Sequence, residues 1–278
     1  MAFKDILLTL ASYPDPTPGP VVDDAVAIAA ALGAHIAAIS CEVHVEVPGN
    51  LFAGKIIDIP GMVGREAAKS RKNAEDLLAA FKAAAEKAGV QHETILEKCP
   101  TYRTPALLAG YARVRDLTIM PVPESYDQWY AEEVIFESGR PTLVLPTARS
   151  RPLQIGTVGV AWDFSRTAAR AVADALPLLE RAKRVRVVTV TNEKALDSGH
   201  SAGELVKNLA RHGIDVVLDT VDSEGKPIGE VIEAYVRSRE IDMLVMGAYG
   251  HSRWREFVLG GATRSLLSRP PIPILFSH

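Results

Sequence analysis

The sequence predicts an α/β protein built from two doubly wound parallel-sheet domains in tandem, and three observations predict it. First, short apolar runs such as Ile6-Leu7-Leu8-Thr9-Leu10 and Met243-Leu244-Val245-Met246 alternate with longer amphipathic stretches along the chain. Runs of four apolar residues that stop at a glycine read as strands buried on both faces, and such strands belong to parallel sheets with right-handed crossovers. Second, the order of segments runs twice. Ala88-Gly89-Val90 returns as His212-Gly213-Ile214, an offset of 124 (213 − 89), and Asp116-Leu117-Thr118-Ile119-Met120-Pro121 returns as Asp242-Met243-Leu244-Val245-Met246-Gly247, an offset of 126 (242 − 116). Offsets that agree within two residues argue for a duplicated unit. Third, 278 residues exceed the usual single-domain size. The polar stretch from Pro146 to Pro152 is a proline-bounded linker, which sets the expected domains at 1–147 and 152–278.

In the first half, strand 6–10 is followed by Tyr13-Pro14-Asp15-Pro16-Thr17-Pro18-Gly19-Pro20, where proline fixes φ and removes donors, so regular structure is not expected. Asp23 or Asp24 is the expected cap of an Ala-rich helix that runs to Leu32 and closes at Gly33. A strand over 35–43, a loop over 49–64 and a long helix over 65–88 follow, the helix carrying Leu77, Leu78 and Phe81 on its apolar face. Strands at 90–96, 117–120 and 142–145 and helices at 105–113 and 130–138 complete the half. The second half repeats the order. Strands are expected at 157–161, 185–190, 216–220, 243–246 and 272–276, and helices at 165–179, 202–211 and 228–237, with a last one opening near Ala262.

Composition narrows the function. Apolar residues at 47% and charged residues at 23% are ordinary for a soluble globular chain, and the net charge of −3 gives no electrostatic case for nucleic acid. No apolar run approaches the ~20 residues that span a bilayer, and the first residues lead straight into a strand, so a cytoplasmic protein without a membrane partner is expected. Cys41 and Cys99 are expected as reduced, half-buried thiols, with a disulfide between them as the minor alternative. Seven histidines lack metal-ligand spacing, and no nucleophile elbow, Walker loop or dinucleotide G-x-G-x-x-G appears.

The most informative stretch is Gly247-Ala248-Tyr249-Gly250-His251, followed nine residues after Gly250 by Gly260-Gly261-Ala262-Thr263. It leaves the carboxyl end of a strand, where ligands of such sheets bind. Its glycines allow close backbone approach, and N–H groups at a helix start favour an anion by about 0.3–1 kcal/mol per terminus. His251 and Arg253 add positive charge between the glycines. A plain strand-to-helix turn, in which the glycines only solve geometry, accounts for the same spacing equally well.

The pattern G-x-x-G, nine residues, then glycine resembles the nucleotide-binding signature of the universal stress protein family, as does the wording Met246-Gly247-Ala248-Tyr249-Gly250-His251-Ser252-Arg253. That resemblance implies a Rossmann-like domain of the adenine nucleotide alpha hydrolase type, and ATP, with magnesium, as ligand. It places Ala161 and Asp163 at the end of the first strand, Asp163 against the base or ribose, and Val190 at the end of the second strand against the base. It places Met246, Gly247, Gly250, Gly260, Gly261 and Ala262 around the phosphates. Helix capping for Asp163 and core packing for Val190 are the structural alternatives. The family's ATP-binding form carries Ser or Thr directly after the last glycine, where this chain has Gly261; Thr263 supplies a hydroxyl two residues on, or serves as a helix cap.

In the first half Pro121-Val122-Pro123-Glu124 stands in place of Gly247-Ala248-Tyr249-Gly250, and Ala11 or its neighbours in place of Asp163. Proline offers no N–H and Glu124 repels phosphate, so one nucleotide site per chain is expected, in the second half. The resemblance further implies that the two domains pair through their last strands, Thr142-Leu143-Val144-Leu145 and Ile272-Pro273-Ile274-Leu275-Phe276, with a homodimer as the further assembly and a signalling protein as partner. No lysine stands at the phosphate loop, so at most slow ATP hydrolysis is expected. The rival reading is a nucleotide-free scaffold or chaperone-like module of the same fold.

Overall fold

A computed structural model describes residues 2–44, 59–123, 129–148, 153–192, 202–248 and 261–278. The chain forms two compact units, Lys4–Pro121 and Val122–His278, the latter with Met1–Phe3.

The first unit runs β1 (Asp5–Leu10), α1 (Gly19–Leu32), β2 (His35–His44), α2 (Ile59–Ala88), β3 (His92–Pro100), a 3-10 turn (Thr101–Arg103), α3 (Thr104–Arg113) and β4 (Leu117–Val122). Its strands lie in the order β3-β2-β1-β4, and the registers of β1 with β2, β1 with β4 and β2 with β3 are all parallel. Ile6, Leu7, Leu8, Ile36, Ile39, Leu117 and Ile119 are fully buried between the helix layers.

The second unit holds α4 (Trp129–Glu137), β5 (Thr142–Pro146), β6 (Thr157–Ala161), α5 (Arg166–Leu179), β7 (Arg184–Thr191), α6 (Ala202–Arg211), β8 (Val216–Asp222), α7 (Ile228–Ser238), β9 (Met243–Gly247), α8 (Gly261–Ser268) and β10 (Ile274–Ser277). The order is β5-β10-β9-β6-β7-β8, parallel except where β10 meets β5 antiparallel, with Leu275 opposite Leu143. The two segments anticipated as pairing edges therefore lie side by side.

Register makes the duplication concrete. Ile6 aligns with Ile36 and Leu117, and Val158 aligns with Val185 and Met243, so β1 maps onto β6 at an offset of 152 (158 − 6) and β2 onto β7 at 149 (185 − 36). Ile36 aligns with His92 and Val185 with Val216, so β3 maps onto β8 at 124 (216 − 92). Hydrogen bonds repeat at these offsets. The Asp5 N–H donates to Asp116 Oδ2 at 3.0 Å and the Thr157 N–H to Asp242 Oδ2 at 2.7 Å. In return Asp116 N–H donates to Asp5 O and Asp242 N–H to Thr157 O. Gly89 and Gly213 end matched helices at φ 67° and 75°, the left-handed region glycine enters without steric cost.

Three boundaries among those that differ from expectation are instructive. α1 begins at Gly19, with Pro18 as its N-cap and no side-chain cap, so Asp23 and Asp24 lie inside the helix. Pro20 fits the first turn because its missing N–H would have had no helical partner there. α2 begins at Ile59, so its first turns occupy the end of the expected 49–64 loop, and β3 continues to Pro100. Cys41 and Cys99 are buried and free, and burial pushes the Cys41 thiol up to about 12, which keeps it protonated. Among the described residues no helix is long and apolar enough to cross a membrane.

Candidate functional site

The carboxyl ends of β6, β7 and β9 form one edge of the second unit. β6 is apolar through Val160, then ends in the turn Trp162-Asp163-Phe164-Ser165 with Phe164 at φ 61°. Ser165 caps α5, its Oγ accepting the Ala168 N–H at 3.0 Å and standing 3.0 Å from Thr167 Oγ1. The cap is thus Ser165, and Asp163 braces the turn before it: its Oδ1 accepts the Ser165 N–H at 3.0 Å. Asp163 is exposed, and among the described residues its second oxygen has no partner.

β9 reaches the same place. Met246 is buried and Gly247 aligns with Ser277 at the end of the strand, where the Ala248 N–H donates to Ser277 O at 2.8 Å. A Cβ on Gly247 would lie 2.5 Å from both the Thr167 carbonyl carbon and the Ala168 nitrogen. Only glycine lets the end of β9 press on the first turn of α5 so closely. The turn that carries Asp163 and the first motif glycine, 84 residues later (247 − 163), are therefore one packed junction. The structural role of Gly247 is established by this contact, and a ligand role would be additional to it.

Ala161 and Val190 are half-buried at the ends of β6 and β7. α8 opens at Gly261, which is exposed, and a Cβ there would meet no described atom within 4 Å, so packing among the described residues does not demand glycine. Ala262 is half-buried, whereas Thr263 is 4% exposed and sits in the first turn of α8 rather than at its cap. Thr263 therefore lies inside the helix, not at the cap position. Gly250, His251, Arg253 and Gly260 lie outside the described residues.

Two features of this edge escaped sequence reasoning. Trp162 Nε1 and Thr189 Oγ1 are buried without a hydrogen-bond partner among the described residues, and each residue directly precedes one of the expected ligand positions, Asp163 and Val190. Asn192, at φ 64°, donates from Nδ2 to Asp222 Oδ2 at 2.7 Å and ties the ends of β7 and β8 together. A polar residue inside the run Val187-Val188-Thr189-Val190 and an indole at a strand end were the available signals. Among the described residues no group of three or more His, Cys, Asp and Glu is placed to hold a metal.

Fold and edge define a doubly wound α/β protein with a glycine-bearing turn at the carboxyl ends of its strands. Residues 154–278 match the model of the universal stress protein family. A stretch of 51 residues is 47% identical to universal stress protein Slr1230 of Synechocystis sp., covering 17% of this chain and 18% of that relative's length. Across both halves the chain is similar to the crystal structure of a universal stress protein from Archaeoglobus fulgidus, at 16% identity and a TM-score of 0.71, over 98% of this chain and 95% of that one. A putative universal stress protein from Pseudomonas aeruginosa aligns at 14% identity and a TM-score of 0.59, over 99% and 93%. At such identities the structural likeness shows the fold alone. The similarity to the universal stress protein family at the level of sequence thus lies in the second half, residues 154–278.

Proposed function

We propose that the second unit binds ATP or a related adenine nucleotide, with magnesium, at the carboxyl edge of its sheet, and that a cytoplasmic chain uses it in stress signalling through a partner protein without efficient catalysis. The observation that carries this reading is the junction at Gly247, which brings the exposed Asp163 carboxylate, the α5 cap and the end of β9 together. A carboxylate with one oxygen to spare suits sugar hydroxyls or a base amine. α8 starts at Gly261 and packs its first turns close to Gly229 at the head of α7, and a helix start favours phosphate. Titration calorimetry with ATP and magnesium tests it. Wild-type protein is expected to bind, and Asp163→Asn to bind about 10–100-fold more weakly, the worth of a hydrogen bond to a charged group. Absence of binding at millimolar nucleotide ends the reading.

One observation favours a second reading, a nucleotide-free scaffold or chaperone-like module. Gly261 is exposed without a hydroxyl and the nearest candidate, Thr263, is buried. Mass analysis of small molecules that copurify with the native protein separates the two, because a bound adenine nucleotide eliminates the scaffold. The open space around Gly261 makes Gly261→Ser a direct probe. It is expected to leave the fold intact and tighten ATP binding about fivefold, the ordinary net worth of one hydrogen bond.

A further inference from the structure

The turn after β6 carries more than Asp163. Trp162 and Phe164 flank it in sequence, both half-buried, with ring centroids 5.6 Å apart and planes at 61°, an edge-to-face pair. Trp162 also continues the sheet by one residue, because β6 ends with Ala161 opposite Val188 and the Trp162 N–H donates to Val188 O at 2.9 Å. Successive side chains alternate across a sheet, so Trp162 and Thr189 share the face opposite to that of Ala161 and Val188. Their polar atoms, Nε1 and Oγ1, are buried without a partner among the described residues.

Packing alone does not ask for these residues. At the offset of 152 the first unit has Leu10, Ala11 and Ser12 where the second has Trp162, Asp163 and Phe164. Leu10 fills the strand end at 4% exposure and brings no donor that needs an acceptor. Ser40, at the place of Thr189 (189 − 149), donates to Leu10 O at 3.0 Å, so a hydroxyl at this level can be satisfied across the strands. Phe164 stands at φ 61°, a region that bulky residues enter only at a cost, whereas Ser12 avoids it. The second unit thus carries an indole N–H without a described partner and a strained phenylalanine, and with them two rings beside an exposed carboxylate. In the first unit the rings and the carboxylate are missing together.

We propose that Trp162, backed by Phe164, is the stacking surface for the base of the bound nucleotide. The proposal rests on the nucleotide reading of the same edge and adds to it the side chain that holds the base. Rings that meet edge to face leave a ring face for a further planar partner, and a half-exposed indole presents the largest such face of any side chain. Stacking of a base on an aromatic side chain needs no matching hydrogen bond, so the surface works beside a carboxylate that takes the sugar or a base amine.

Calorimetry and tryptophan emission of the full chain with ATP and magnesium test it. Trp162→Leu, the exchange that the first unit's sequence already makes, is expected to weaken binding about tenfold while the unfolding midpoint holds or rises, since a buried donor without a described partner is removed. Trp162→Phe keeps a ring and is expected to weaken binding about threefold at most. ATP is expected to quench emission in wild type and to quench it less in Trp162→Phe, which retains Trp129 and Trp254. Should Trp162→Leu misfold, the emission difference in Trp162→Phe decides. Equal affinity in wild type and Trp162→Leu, equal losses in both variants, or undiminished quenching in Trp162→Phe overturns the proposal and leaves the nucleotide reading standing. A wild-type chain that binds no ATP at millimolar concentration ends both.

Discussion

The carboxyl ends of β1 and β2 and those of β6 and β7 occupy matched positions and are finished differently. In the first unit Ser12 Oγ donates to Cys41 O, Ser70 Oγ lies 2.8 Å from Ser12 Oγ and accepts the Val43 N–H at 2.9 Å, and Asn73 donates to Ser12 O. Ser70 and Asn73 come from α2, a helix of 30 residues, so the unit's own side chains close that edge. Ala11, at the place of Asp163 (163 − 152), has its N–H taken by Thr17 Oγ1. The second unit shows an exposed carboxylate and, among the described residues, two buried polar atoms without partners at the same level. The bonds that hold strands together were preserved in both copies, as Asp116 and Asp242 show, while the edges diverged. Orphaned groups cost about 1–3 kcal/mol each; both units hold some, Thr118 Oγ1 in the first among them, and in the second unit two stand directly before the proposed ligand positions Asp163 and Val190.

The sharpest break of this comparison is at Gly247. Gly247→Val places atoms against the backbone of Thr167 and Ala168, which cannot yield as a side-chain tip can, and is expected to destabilise the second unit by about 3 kcal/mol or more. The matched residue in the first unit is Pro121 (247 − 126), where Pro121→Ala is expected to cost under about 1 kcal/mol. Denaturant unfolding of both variants checks the pair. Equal effects would mean that the β9–α5 junction is no special feature of the second unit.

The matched tyrosines give the next effect. Tyr235 is buried, and burial together with its hydrogen bond to Asp219 pushes its phenol up to about 12, against the pull of Arg186. The raised value means the neutral phenol is favoured in the folded state. Its stabilisation is complete below about pH 10 and is lost as pH rises from there through about 12, a gross change of about 2–3 kcal/mol. Tyr111 (235 − 124) is only half-buried and donates to Glu97. Alkaline unfolding followed by circular dichroism should therefore lose its step between pH 10 and 12 in Tyr235→Phe and keep it in Tyr111→Phe.

Much of the fold was legible because strands buried on both faces are apolar and helices carry one apolar face, which is why β6 and α6 fall where their residues predict. The start of α1 was hidden in a proline run because only position distinguishes a proline that breaks a helix from one that opens it. Gly61 and Gly64 similarly disguised the first turns of α2. Asp163 and Gly247 were legible through a motif, yet the contact that joins them depends on a helix between them in sequence. The lack of a described partner for Trp162 and Thr189 is a property of what surrounds them and leaves no mark on residue type.

The smallest expected effect tests the edge comparison itself, through the hydroxyls at matched positions 40 and 189. Ser40 Oγ donates to Leu10 O at 3.0 Å, so Ser40→Ala leaves a buried carbonyl short of a donor and is expected to cost about 1 kcal/mol. Thr189 Oγ1 has no partner among the described residues, so Thr189→Val removes an unsatisfied polar atom while keeping the branched shape, and is expected to stabilise the free protein by up to about 1 kcal/mol. Opposite signs in thermal unfolding of the nucleotide-free variants are the outcome that the divergence of the two edges requires. A loss in both would mean that Thr189 is satisfied as Ser40 is, and that the second unit closes its strand ends much as the first does.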